Sequence, residues 1–162
     1  MRLVVLADTH IDGSSWRLPG AVESQCREAD AILHSGDFTS LEFLQWLESL
    51  APVYAVHGNM DQPAIIVRLP QKQLVTFEQV SVGLIHGSGS PAQTVQRARQ
   101  AFKQPNIIVF GHSHQPLNET LDSVLMFNPG SPTERRFAAT NSYGIIEIEG
   151  QNFQTEIILV NT

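Results

Sequence analysis

His112 and His114 follow the apolar run Ile107-Ile108-Val109-Phe110 and the turn residue Gly111. In an extended backbone, residues i and i+2 project to the same side. The spacing therefore predicts two imidazoles leaving one strand tip in one direction, as neutral nitrogen ligands. The same arrangement recurs at four other places: Asp8 and His10 after residues 2–7, Asp37 after 31–33, Asn59 after 52–56, and His86 after 80–85. Two carboxylates, one amide oxygen and four imidazoles make up this set, and each can bind a metal. Mixed nitrogen and oxygen donors without sulfur suit manganese, iron, zinc, nickel or cobalt better than calcium or a thiolate zinc site. Seven ligands exceed what one tetrahedral ion uses. Two divalent transition-metal ions about 3.5–4 Å apart and sharing one carboxylate would use them all. Asp37, beside Gly36 in a turn, is the natural bridge, and Gly36, Gly58 and Gly111 let the backbone turn sharply before the ligands.

The elements that must present these side chains can be read in order. Residues 2–7 form a strand covered on both faces, a helix follows over 19–29, and 31–33 form a second strand. Ser40 caps a helix over 41–50, and a third strand covers 52–56. Alternating strands and helices predict parallel strands joined by helical crossovers. The second half changes character, with a hairpin of 73–77 and 80–85, a helix over 91–102, a strand over 107–110, and short strands over 117–121, 124–127, 143–148 and 153–160. Asp122-Ser123 and Glu149-Gly150-Gln151-Asn152 read as hairpin turns. The expectation is two packed sheets with helices outside, in one domain spanning 1–162. In open α/β sheets, ligands bind beyond the carboxyl ends of the strands, so the seven side chains should converge there.

Other polar residues carry plainer readings. His34 and His57 are structural, Asp61 is a hydrogen-bonding partner, and Trp16 and Trp46 pack or line a rim. The single cysteine, Cys26, excludes an internal disulfide and reads as a buried, inert thiol. A net charge of −6 argues against a long nucleic-acid groove, although bound cations would still admit a small phosphorylated substrate. Hydrophobic residues make up 42% of the chain and charged residues 16%, as in a folded protein. The longest apolar runs are far too short to span a membrane, and Asp8 interrupts the first one, so a cytoplasmic location is expected. A homo-oligomer through one sheet edge is left open by the sequence.

Taken in order, Asp-x-His, Gly-Asp, Gly-Asn-x-Asp, a strand-end His-Gly and Gly-His-x-His resemble the calcineurin-like metallophosphoesterase superfamily. Asn128-Pro129-Gly130-Ser131 and the short chain resemble its small YfcE-like phosphodiesterase subgroup, over residues 3 to about 150. The resemblance implies a four-layer α/β/β/α sandwich of two mixed sheets with flanking helices. It implies one ion held by Asp8, His10, Asp37 and His114, and a second held by Asp37, Asn59, His86 and His112, with manganese foremost among the metals. It further implies a phosphodiesterase in which a hydroxide bridging the ions attacks phosphorus, with Asp37, Asn59 and His86 at the catalytic centre. A phosphomonoesterase on the same site is the first alternative. A protein-interaction scaffold, as in a retromer subunit of this fold, is the second. Asn59, Ser88, Ser131 and Arg135 would hold substrate. Two positions depart from many relatives. Met60 stands where a histidine protonates the leaving oxygen, and Ser88 stands where some members carry another histidine.

Overall fold

β1 (Arg2–Leu6) is apolar at every position after Arg2 because both of its faces are covered. Leu3 and Val5 face the space between two sheets, whereas Val4 and Leu6 face helices. The computed structural model describes residues 1–13, 17–136 and 138–160; Trp16 lies outside the described residues. After β1 come α1 (Gly20–Glu28), β2 (Ala31–His34), α2 (Leu41–Glu48), β3 (Val53–Ala55) and α3 (Pro63–Arg68). The chain continues through β4 (Lys72–Phe77), β5 (Val80–Ile85), α4 (Pro91–Gln100), β6 (Ile107–Val109), β7 (Leu117–Leu121), β8 (Val124–Asn128), β9 (Asn141–Glu149) and β10 (Asn152–Val160).

Among the described residues, ten strands form two mixed five-stranded sheets, ordered β10-β9-β1-β2-β3 and β4-β5-β6-β8-β7. β1, β2 and β3 run parallel, as do β5, β6 and β8, while antiparallel β9–β10, β4 and β7 complete the edges. Leu33, Val82, Ile107, Phe127 and Ile146 fill the space between the sheets. Val22 and Cys26 of α1, Phe43, Leu44 and Leu47 of α2, and Ile65 of α3 cover the outer face of the first sheet. Ala98 of α4 covers the second, against Ile108 and Met126. The order is therefore helix, sheet, sheet, helix, as expected. Among the described residues, no helix is long and apolar enough to cross a membrane.

Two features were not legible locally. α3 falls on a stretch where Ile65, Ile66 and Val67 are consecutive, which masks helical spacing; only Ile65 is buried, and Pro63 opens the helix. β9 leaves the hairpin-rich half to pair with β1, register Val4 to Ile145. Helix ends fall a residue or two short of the expected bounds. Ser40 caps α2 as expected, its Oγ accepting from the Phe43 N–H at 3.2 Å. Trp46 packs at the rim of the first core, 5.7 Å from Phe43 between ring centres and under the Arg17 guanidinium.

Candidate metal centre

The ligand-type residues all lie just past strand ends, but the strands belong to both sheets. Asp8, His10, Asp37 and Asn59 come from β1, β2 and β3; His86, His112 and His114 come from β5 and β6. The crevice is thus the shared edge of two facing sheets and not the mouth of one. Backbone conformation accompanies this. Asp8, His10, Asp37, His112 and His114 all have positive φ, from 44° to 69°. Non-glycine residues occupy that region at a cost and concentrate at functional sites. His112 and His114 therefore do not leave an extended strand side by side. Each is turned into the site by its own left-handed residue.

Asp8, His10 and His114 place ligand atoms within 4.8 Å of one another, and so do Asp8, Asp37 and His86. Asp37 Oδ2 lies 3.5 Å from His10 Nε2 and 3.4 Å from His86 Nε2, so it stands between two rings, as a bridging carboxylate would. Asp8 Oδ1 is similarly shared, 3.9 Å from His86 Nε2 and 3.6 Å from His114 Nε2. At the exposed mouth, Asn59 Oδ1 lies 3.0 Å from His86 Nε2 and 3.2 Å from His112 Nδ1. All seven side chains are brought to one place.

Backbone carbonyls orient three of the rings. Ser35 O lies 2.8 Å from His86 Nδ1, Glu134 O lies 2.8 Å from His114 Nδ1, and Gly89 O lies 3.2 Å from His112 Nε2. A carbonyl can only accept, so in each ring that nitrogen carries the proton and the other faces the cluster, the usual support for a metal-binding histidine. Asp8 Oδ2, His10 Nε2 and His114 Nε2 are buried without any hydrogen-bond partner. Among the described residues, neither Asp8 nor Asp37 has a lysine or arginine ion pair. Buried acceptors without donors are costly unless a cation completes them. The donor set fits divalent metal.

Charge follows the same geometry. Burial pushes the Asp8 carboxyl up to about 7, with His86 only partly offsetting it. Burial also pushes Asp37 up, but the His86 hydrogen bond and charge, the Met60 N–H and His10 outweigh it and hold the carboxyl at about 2. Burial works against a charged His86, yet Asp37 and Asp8 raise it above the usual imidazole value. His10, His112 and His114 are lowered, mainly by burial, and so are neutral.

Supporting residues fix the turns. Asp61 Oδ2 accepts from the Asp37 and Gly58 N–H groups at 3.0 and 2.7 Å, and its Oδ1 accepts from Thr39 N–H at 2.8 Å. His34 Nδ1 accepts from Gly36 N–H at 3.1 Å, which leaves Nε2 to donate to Thr9 Oγ1, also at 3.1 Å. Its pKa is driven well below the usual value by burial, so it is a neutral prop for the Asp37 turn. His57 stays outside the cluster, its Nδ1 3.4 Å from Gly58 O.

The residues expected to meet substrate divide. Ser88 is exposed beside the site, its Oγ accepting from Arg97 at 3.0 Å. Ser131, by contrast, is buried and donates its hydroxyl to Asp8 O at 2.7 Å, so it anchors the first ligand loop instead of facing substrate. Asn128 acts likewise, donating to Gly111 O and Ser113 Oγ at 3.2 and 3.0 Å beneath the two histidines. Arg135 lines a separate small recess with Thr140 and Val160. Its neighbour Arg136 is the one on the site's side, where its Nε donates to Glu134 Oε1 at 3.1 Å and Glu134 Oε2 sits 3.7 Å from His10 Nε2. Two adjacent arginines carry no spacing signal that tells them apart; only the loop's path does.

Residues 1–151 match the family described as the calcineurin-like phosphoesterase superfamily domain. A probable metallophosphoesterase of Methanothermobacter thermautotrophicus is 38% identical over 160 residues, covering 98% of this chain and 92% of its own. Phosphodiesterase MJ0936 of Methanocaldococcus jannaschii is 23% identical over 171 residues, covering 98% and 99%. Among solved structures, protein TM1076 of Thermotoga maritima is 30% identical with a TM-score of 0.76, covering 98% of this chain and 99% of its own. On these matches and on its fold, the chain belongs to the calcineurin-like phosphoesterase superfamily.

Proposed function

We propose that the chain is a metal-dependent phosphodiesterase acting on a small phosphorylated substrate in the cytoplasm. Asp8, His10, Asp37 and His114 would hold one divalent ion, and Asp37, Asn59, His86 and His112 a second, manganese before nickel, iron, zinc or cobalt. The observation that carries this reading is the buried knot of carboxylates and oriented imidazole nitrogens that no lysine or arginine pairs with among the described residues. Two such ions would supply hydroxide at neutral pH and charge for the phosphoryl oxygens. The chain's own residues set the geometry. Asp37, fixed through Met60 N–H and Asp61, centres the cluster. Asn59 stands at the exposed mouth, 3.0 Å from the buried His86, where the reacting phosphorus would arrive. Ser88 offers a hydroxyl at the rim.

Metal-stripped protein should regain hydrolysis of bis-p-nitrophenyl phosphate when manganese, nickel or zinc is added back. Faster turnover of p-nitrophenyl phosphate would keep the site and make it a phosphomonoesterase. Recovery with no metal would end the proposal.

Binding should depend on pH in a set direction. Asp8, at about 7 without metal, and the raised His86 must each lose a proton before they coordinate, whereas the lowered histidines need not. Manganese affinity should therefore fall as pH drops below about 7, by about tenfold per unit for the Asp8 proton alone. Calorimetry in buffers of different ionisation enthalpy would register the released protons. A flat affinity between pH 5.5 and 7 would contradict it.

Met60 cannot donate a proton, so alkyl leaving groups should be poor substrates. General acid catalysis contributes typically ~10²–10⁴-fold, and Met60→His should recover at least about tenfold of that on a dinucleoside monophosphate. Little change is expected on p-nitrophenyl esters. Equal rates for wild type and variant on both substrates would show that position 60 is not beside the leaving oxygen.

A further inference from the structure

Two recesses border the candidate cluster. One of about 290 Å³ touches Asn59, His86, Ser88 and Arg97. The other, about 730 Å³, starts at His10 and Met60 and runs past Ile11, Pro132, Glu134 and Arg136. Asp37 Oδ2 stands between them, 3.5 Å from His10 Nε2 and 3.4 Å from His86 Nε2. The larger recess falls in the ~300–1,000 Å³ range of pockets that enclose drug-sized ligands, far more than one phosphoryl group requires. Its wall sets apolar surface from Ile11, Met60 and Pro132 beside the charges of Asp12, Arg17, Glu134 and Arg136.

Arg136 is held at this wall by a left-handed backbone, φ 46°, and by its Nε bond to Glu134. Among the described residues, its two terminal nitrogens have no hydrogen-bond partner, so the bidentate edge of the guanidinium is unused. Met60, bordering the same recess, has no proton to give. A group departing into it must leave as a stable anion. An alkoxide does not meet that condition, and an organic phosphate does.

We propose that this recess is the leaving-group subsite and that the substrate is a phosphoanhydride whose departing half is an organic phosphate, received by the Arg136 guanidinium. The inference rests on the phosphodiesterase reading above. In the step, a hydroxide oxygen bonds to the phosphorus held at the cluster, and the bridging P–O bond on its far side breaks. The electron pair stays on the departing phosphate, and the proton released in forming the hydroxide goes to bulk water. One water is consumed, two phosphate monoesters form, and nothing is oxidised or reduced. Organic substituents of both halves have room, the departing one in the larger recess and the retained one in the smaller.

The test compares bis-p-nitrophenyl phosphate with UDP-glucose as probes, on the full chain loaded with manganese, in wild type, Arg136→Gln and Arg136→Lys. Wild type should cleave UDP-glucose between its phosphorus atoms. Arg136→Gln should lower kcat/KM for it roughly 10–100-fold, the worth of a charge-assisted pair, and should cost bis-p-nitrophenyl phosphate clearly less, because a departing phenolate offers the guanidinium one oxygen where a phosphate offers two. Arg136→Lys should restore part of the loss, because it keeps the charge without the fork. UMP binding to metal-free protein, followed by calorimetry, should weaken about tenfold in Arg136→Gln, a readout independent of turnover. Equal losses on both substrates, or UMP binding that ignores the substitution, would overturn the assignment of Arg136. Wild type that cleaves the aryl ester but not UDP-glucose would sink the anhydride proposal alone. Failure on both substrates would remove the phosphodiesterase reading with it.

Discussion

Asp37→Asn should cost at least roughly 10²–10³-fold in kcat, the range seen when one pre-organised electrostatic group is removed, and should leave the protein short of metal. The carboxylate oxygen Oδ2 stands 3.5 Å from His10 Nε2 and 3.4 Å from His86 Nε2, so its loss weakens the join between the two halves of the cluster. The fold should survive. Asn can still accept the Met60 N–H at Oδ1, and the bonds from Asp61 go to the backbone of residues 37, 39 and 58, which the substitution does not touch. Elemental analysis beside circular dichroism separates the two effects. A folded variant that keeps full metal content and full turnover would refute the role given to Asp37.

Gly58→Ala should damage site and stability together. A Cβ there would collide with Asp37 Oδ1 and lie 2.6 Å from Asp37 N and 2.8 Å from Asp37 Cγ. Neither neighbour can yield cheaply, because Asp61 Oδ2 ties the Asp37 and Gly58 N–H groups to one oxygen. Overpacking of this kind typically costs ~1–3 kcal/mol, and displacing a reacting group by about 1 Å can cost roughly 10²-fold in rate. Thermal unfolding and steady-state turnover would read the two losses. Gly20→Ala is the control. It opens α1, has nothing within 4 Å of the added Cβ, and should be neutral or gain a few tenths of a kcal/mol. If Gly58→Ala behaves like Gly20→Ala, close approach is not the reason for glycine at 58.

Backbone conformation separates the glycines the sequence grouped together. Gly36 has φ 98° and serves a turn, and a Cβ there would also lie 2.7 Å from Gly58 N. Gly58 and Gly111 do not have positive φ and are small because carboxylates press on them, Asp37 at Gly58 and Asp8 Oδ2 2.8 Å from the Cβ position of Gly111. The tight backbone falls on the ligands themselves. Spacing rules describe regular elements, and nothing in residue types announces five left-handed residues past strand ends.

From sequence alone, the strands, most helices, the layer order and the set of ligand-type side chains were determined, because buried strands demand unbroken apolar runs and ligands must be of a few residue types. Tertiary structure alone decided which sheet each strand tip belongs to, since pairing β1 with β9 joins residues more than a hundred positions apart, a separation that local periodicity does not register. It decided which ring nitrogen faces the cluster, because the carbonyls of Ser35, Gly89 and Glu134 that orient the rings belong to backbone and have no residue-type signature. It moved Ser131 from substrate to support, as its hydroxyl meets a backbone carbonyl brought from β1. And it set Arg136, not Arg135, on the recess that reaches His10 and Met60, a difference between identical neighbours that only the direction of the chain can make.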